Sequence, residues 1–414
     1  MIRRIGRKVK SLFIQPTSIV TQFESLNSER YDIVCFDDFL PKMIGSWRSI
    51  EFASYLQSFP NSKLVCLLHF YPEDKALTNA EFSEDRMKFG KKYGVEGIEA
   101  RVISVNDFRK INIHSRLFYC IFINNLKKIF PIILQHRVPF IFTLYPGGGF
   151  KLYDRECEEF LRIINASDLF QGVIVTHPGI KEYLTGRNLI DERKIEFIYS
   201  VPVHQADYEP NKDKIYYGDG KRTLDICFVA AKNTAHGEDK GFDVFSTVAS
   251  RLWKEHPFVR FHVVGNFTKD DLTYEIPDDR VTFYGMQDFA WFEDFYKDKD
   301  ILLSPVRAHV LSVGSFDGFP TGAAVDAALY GLLLIISDPL GDNFEVKLKD
   351  GVEVLIAQSN VHSYVNILKT VIDSPSSIKA IAKNGQMRFT EITNFENQIE
   401  KRIKLIASTL SELK

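Results

Sequence analysis

Residues 316–338, FDGFPTGAAVDAALYGLLLIISD, decide how this chain is read. An acidic residue opens a Gly/Pro turn, a run of small residues at helical spacing carries a second acid, and a continuous apolar run follows as a buried strand. Pro320 and Thr321 suit the first turn of a helix, where backbone N–H groups without intrahelical partners and the positive end of the dipole attract phosphate. In a helix running to about Tyr330, Gly322 and Asp326 stand four apart and share a face, so a flat ring would lie against bare backbone at Gly322 while Asp326 accepts its hydroxyls. Val325 and Leu329 would turn to the core. Carboxylates accept from sugar hydroxyls and amides donate to phosphate oxygens. Asp317 and Asp326 on either side of a helix N-terminus therefore suit a ligand that is part polyol and part diphosphate. An ordinary capped helix after a turn carries the same local signature.

Outward from that stretch, the 414 residues exceed one typical core, which points to two domains of about 200 residues each. From about Tyr31 short continuous apolar runs alternate with longer amphipathic ones, the pattern of parallel strands covered on both faces. In the first half the strands are YDIVCF, KLVCLLHF, ARVISV, FIFTLY and GVIVT; in the second they are LDICFVA, VRFHVVG, VTFYG, ILLSPV, LLLIIS and VEVLIA. The fold class is thus α/β, with each half a doubly wound parallel sheet. The join falls near IEFIYSVPVH, giving domains at 1–200 and 201–393. Residues 394–414, with Ile399, Ile403, Ile406 and Leu410 at helical spacing, form a helix packing back toward the N-terminal domain. A cleft would run between the halves.

Net charge is −2, which gives no footprint for nucleic acid as a partner. The exception is the N-terminus, MIRRIGRKVK, where Arg3, Arg4, Arg7, Lys8 and Lys10 stand among apolar residues. Such a segment suits an anionic membrane surface as well as it suits a solvated tail. No apolar run reaches the roughly 18 residues of a membrane span, so the expected location is the cytoplasm, including the inner face of the membrane. The five cysteines lack CxxC pairing and read as buried thiols.

Several further residues have the chemistry for a diphosphate site. Lys232 and Lys240 bracket the loop after LDICFVA, beside a helix starting at Gly241, and lysines there would neutralise a departing diphosphate. Gly265 closes VRFHVVG and Arg307 follows ILLSPV, both at strand C-terminal ends, where open parallel sheets bind ligands. A turn glycine and a loop salt bridge are the plain alternatives. In the first half FTLYPGGGF sets Gly147, Gly148 and Gly149 directly after a strand, for close approach either of substrate or of a tight crossover. Asp37, Asp38 and Gly45 follow the first strand, where an acceptor hydroxyl would be oriented; the aspartates suit capping equally well. His69 and His177 end strands facing the expected cleft, and a hydrogen-bonded structural role fits each.

On DKGFDVF, VVGNF, DGFPTGAAVDAALYG with LLLIISD, and the weaker VIVTHPGIKEYL, the chain resembles the GT-B fold glycosyltransferases of family 4, the retaining group 1 type. The resemblance implies two Rossmann-like domains facing a cleft. It implies a nucleotide-diphosphate sugar as co-substrate on the C-terminal domain, a glycan or lipid-linked acceptor on the N-terminal one, and no metal or further cofactor. By position, Asp317 would meet donor-sugar hydroxyls; Gly318, Phe319, Pro320 and Thr321 would line the diphosphate; Asp326 would take the ribose; Lys240 and Lys232 would stabilise the leaving group. Asp38, Gly45, Tyr145, Gly147 and Gly148 would form the acceptor side, with Tyr145-Pro146 standing where many members have a histidine. The implied activity is hexosyl transfer with retention in surface polysaccharide synthesis. Aspartates in place of the family's paired glutamates leave open a catalytically silent subunit that binds a partner transferase, and a sugar-nucleotide epimerase is a third reading.

Overall fold

The computed structural model describes residues 30–67, 78–105, 111, 113–204, 207–208 and 214–413. His69 and the basic N-terminal segment lie outside these. Residues from Tyr31 onward cluster as one compact unit.

Two all-parallel sheets organise it. The first comprises β1 (Tyr31–Asp37), β2 (Ser62–Leu67), β3 (Val102–Val105), β4 (Ser115–Ile121), β5 (Phe140–Leu144), β6 (Phe170–Val175) and β7 (Ile195–Phe197), in the order β3-β2-β1-β4-β5-β6-β7. The second comprises β8 (Leu224–Val229), β9 (Val259–Val264), β10 (Val281–Phe283), β11 (Ile301–Ser304), β12 (Leu333–Ser337) and β13 (Leu355–Ala357), in the order β10-β9-β8-β11-β12-β13. Each order reverses direction once, between β1 and β4 and between β8 and β11. Crossovers leave the sheet in opposite senses at those points and open a crevice beyond the strand ends. The fold class is the α/β one read from the sequence.

Strand β4 is absent from the sequence reading although it is central to its sheet, hydrogen-bonded between β1 and β5. It runs into the helix α2 (Ile123–His136) through the single residue Phe122, whose φ is 66°. No Gly or Pro stands between them, and Asn124 and Asn125, which look like a turn in sequence, lie inside the first turn of the helix. The short β7, at the start of the IEFIYSVPVH stretch, is the edge of the first sheet.

The helices that shape the site follow from their apolar stripes. In α4 (Phe242–Glu255) Phe242, Phe245, Val248, Ala249 and Leu252 recur at helical spacing, and all are buried with the inward residues of β8 and β9. α5 (Gly322–Leu329) buries Ala324, Val325, Ala327, Ala328 and Leu329. Small residues on this face let its backbone sit close to β12. The last helix, α6 (Lys401–Glu412), lies on the first sheet, where Ile399, Ile406 and Leu410 share a core with Ile33, Leu117 and Tyr119. Arg116 of β4 donates to the carbonyls of Leu410 and Leu413, holding the chain end in place. All five cysteines are buried and unpaired.

Candidate functional site

A cavity of about 280 Å³ lies between the halves. Its lining includes Phe228, Val229 and Ala230 at the end of β8 and Leu303 and Ser304 at the end of β11, so it sits over the switch point of the second sheet. Asp317, Gly318, Pro320, Thr321, Gly322 and Ala323 form one side. Trp47, Phe122, Tyr145, His177 and Ser200 of the first half form the other.

The helix starts at Gly322, two residues later than Pro320 and Thr321 in its first turn would require. Thr321 is the N-cap, its side chain accepting from the Ala324 amide at 3.3 Å, and Pro320 precedes it. Gly322 and Ala323, whose amides a helix cannot satisfy internally, are among the residues that line the cavity. Phe319 is buried in the core against Ala324 and Val325 and anchors the turn from beneath.

Lys240 enters the cavity from the loop after β8. Its Nζ lies 2.6 Å from Asp317 and 3.5 Å from Asp239. Burial alone would pull the ammonium pKa down, but Asp317 and then Asp239 carry it above the usual lysine range. Asp239 also accepts from Asn233 and Thr234, both at 3.0 Å, so one buried carboxylate shapes the whole loop. Gly241 brings that loop against β11: its φ is 73°, and a Cβ there would meet the Pro305 carbonyl oxygen at 2.0 Å.

The other donor-side candidates lie around this centre and do not line the cavity. Lys232 bonds both carboxylate oxygens of Asp271, at 2.8 and 3.0 Å. Arg307 donates to the Glu238 carbonyl at 2.9 Å and to Asp243 at 2.7 Å, tying the loop to α4. Gly265 has a φ of 135°, with the Ala230 carbonyl 1.9 Å from an added Cβ, and so lets β8 end close against its neighbour. Asp326, one turn beyond Gly322, accepts from the Tyr208 hydroxyl at 2.6 Å. Desolvation raises its pKa to about 6, against the opposing pull of that hydrogen bond.

On the first-half side, Tyr145 lines the cavity with its ring 4.3 Å from that of Trp47. Its hydroxyl donates to Glu51 at 2.7 Å and accepts from Arg402 of α6 at 3.2 Å. Glu51 and Arg402 are fully buried, 3.8 Å apart, and Tyr55 and Tyr119 also donate to Glu51. A charge cluster in the first core thus fixes an aromatic wall of the cavity. The triple glycine supports the same wall from behind: a Cβ on Gly148 would meet Phe122 at 2.1 Å, while Gly147 has open space. Asp38 is held by Arg48 at 3.2 Å and Asn125 at 3.2 Å, away from the cavity. Gly45 packs under Phe289 of the second half, 2.6 Å from where its Cβ would be.

Sequence reasoning did not single out Trp47, Phe122, Asn233, Ser200 or Arg402. Aromatic residues after strands look like core residues, and no local spacing links Arg402 to Tyr145. His177 was singled out, and it lines the cavity.

Residues 224–374 match the family model described as glycosyl transferases group 1. No curated protein sequence matches the chain. Among solved structures, sucrose-phosphate synthase from Thermosynechococcus elongatus superposes with a TM-score of 0.62 at 14% identity, over 92% of this chain and 100% of that one. HepE from Anabaena, in complex with UDP and glucose, gives the same TM-score, identity and coverage. A glycosyltransferase from Rickettsia africae gives 0.59 at 13% identity, over 92% of this chain and 99% of that one. At these identities the likeness speaks for the fold, which is GT-B.

Proposed function

We propose, from the premise that residues 224–374 are a group 1 glycosyltransferase domain on a GT-B fold, that the protein moves a hexose-type sugar from a nucleotide-diphosphate donor to a hydroxyl of a glycan or lipid-linked acceptor. One observation carries the reading: Lys240, Asp317 and the helix start at Gly322 and Ala323 line one cavity at the switch point of the second sheet. A cation beside a helix N-terminus suits a diphosphate, and a carboxylate beside them suits a sugar hydroxyl. The HepE structure, bound to UDP and glucose, supports a nucleotide sugar as the ligand class.

In the proposed step the bond from the anomeric carbon to the diphosphate oxygen breaks, its electron pair staying on that oxygen. The acceptor hydroxyl oxygen bonds the same carbon on the same face, and its proton passes to the departing phosphate. Configuration is retained and no protein base takes part. Lys240 and the two amides stabilise the charge gathering on the leaving group. Asp326, outside the cavity lining and bonded to Tyr208, takes the ribose once that hydrogen bond opens. The reaction runs without a metal ion, at the cytoplasmic face of the membrane, in building a surface polysaccharide. Among the described residues no helix is long and apolar enough to cross a membrane.

The test is release of nucleoside diphosphate from UDP-, GDP- and dTDP-sugars with glycan and lipid-linked acceptors, with and without EDTA. Release from one donor, unchanged by EDTA, supports the reading. No release from any donor, despite tight binding of one, favours the silent binding subunit. Interconversion of the donor sugar without acceptor favours an epimerase.

A further inference from the structure

The cavity is small for a ligand of three parts, sugar, diphosphate and nucleoside. It measures about 280 Å³, whereas pockets for small molecules run to roughly 300–1,000 Å³. It reaches Gly322 and Ala323 at the start of α5 but stops short of Asp326, about 6 Å further along the helix axis. Beside that next turn stands Tyr208, from the connection between the two sheets. Its hydroxyl donates to Asp326 Oδ1 at 2.6 Å, and its ring lies 5.0 Å from that of Tyr330. The Tyr330 hydroxyl in turn donates to the Asp207 carbonyl at 3.3 Å. The Asp207 carboxylate meets Lys92, on the helix Asn79–Tyr93 of the first half, at 3.0 Å. Asp207 and Tyr208 are thus fastened to both halves, alongside the helix that begins at the cavity.

We infer that Tyr208 is a built-in competitor of the nucleoside: its hydroxyl occupies the carboxylate that a ribose would use, and it withdraws before a nucleotide can seat. This rests on the proposed function and adds to it a brake on donor entry, carried by the connection between the halves. A phenol and a ribose hydroxyl are the same kind of donor to a carboxylate, so Asp326 loses no hydrogen bond in the exchange. Burial, with Asp326 beside it, pushes the phenol pKa far above its usual value, so Tyr208 stays a donor at every working pH. The ligand bears the cost. Only the fraction of molecules with Tyr208 withdrawn can take the nucleoside, and the apparent affinity falls by that fraction. The anchor on the first half does not lock the tyrosine in place: the side chains of Lys92 and Asp207 are 35% and 31% exposed, so their pair parts without stranding a buried charge.

Thermal shift on the natural protein and on Tyr208→Phe first selects, from UDP, GDP and dTDP, the nucleoside diphosphate that stabilises most. Calorimetry then measures that ligand and inorganic pyrophosphate on both proteins and on the double variant Tyr208→Phe with Asp326→Asn. Tyr208→Phe removes one oxygen and keeps the ring against Tyr330. The expected result is a gain of about tenfold in affinity for the nucleoside diphosphate, the order of one hydrogen bond to a charged group, while pyrophosphate, which has no ribose, binds as before. Adding Asp326→Asn abolishes the gain. Unchanged or weaker binding of the nucleoside diphosphate by Tyr208→Phe overturns the inference and leaves the proposed function intact. So does an equal gain for pyrophosphate, or a gain that survives Asp326→Asn. Failure of the natural protein and of Tyr208→Phe alike to bind any nucleoside diphosphate overturns both.

Discussion

Replacing Lys240 with methionine keeps the length of the side chain and removes its charge. In the structure its Nζ stands 2.6 Å from Asp317 and 3.5 Å from Asp239, with side chains 15% exposed for the lysine and 28% for Asp317. Exposed ion pairs contribute about 0–1 kcal/mol, whereas breaking a fully buried one costs about 3–5 kcal/mol. This pair lies between those limits, and Lys240→Met leaves two carboxylates facing each other, so a stability loss of about 1–3 kcal/mol is expected. Turnover should fall further, by about 10²–10³, or about 2.7–4 kcal/mol of transition-state stabilisation. The two effects separate in a double variant. Adding Asp317→Asn removes the facing charge and restores most of the stability, while turnover stays low because the cation is still missing. Urea unfolding gives the stabilities, and release of nucleoside diphosphate gives the rates. A double variant that recovers turnover together with stability refutes the reasoning, since Lys240 would then act only by holding its loop.

Other expectations follow from the same geometry. Lys232→Gln, whose amine is engaged by Asp271 outside the cavity, should leave nucleotide affinity within about twofold while lowering stability by about 1 kcal/mol, both read by titration and urea unfolding. Arg402→Met strands the buried Glu51 carboxylate and should cost about 3–5 kcal/mol in unfolding free energy, together with a changed fluorescence of Trp47, which packs on Tyr145. Asp342 is 3% exposed, and burial, with Asp338 beside it, raises its pKa to about 6 against an unfolded value of 3.8. A raised folded pKa means the contribution is full below the unfolded value and is lost as pH rises through 6. Stability should therefore fall between pH 4 and 7 by up to about 3 kcal/mol from this group, and Asp342→Asn should flatten that slope in pH-dependent melts. Gly318→Ala puts a methyl 2.2 Å from His177 and should weaken nucleotide-sugar binding more than it weakens binding of the diphosphate, as competitive titration would read.

What the sequence made legible was whatever one segment carries by itself. Residues 316–338 announced a turn, a helix and a strand, and the structure has Thr321 capping Gly322–Leu329 before β12. The apolar stripe of α4 and the continuous strands gave the two parallel sheets. Strand β4 escaped because SRLFYCIF passes into a helix with no Gly or Pro between them, its Asn124-Asn125 pair lying inside the helix. Partnerships between distant residues escaped for a different reason. Lys240 and Lys232 look alike in sequence, yet one faces Asp317 and the other Asp271, and Arg307 turns to Asp243. Side-chain spacing holds no information about which loop folds over which. The glycines were ambiguous in the same way: Gly147 to Gly149 marked a place of close approach, but only the packing of Gly148 on Phe122 identifies what approaches.

The most direct measurement is an experimental structure of the protein with a nucleoside diphosphate bound, taking the one that gives the largest thermal shift. The account predicts its terminal phosphate within hydrogen-bonding distance of the Gly322 and Ala323 amides and of Lys240 Nζ. A nucleotide seated anywhere else, with that helix end and that lysine left in their present pairing, contradicts it.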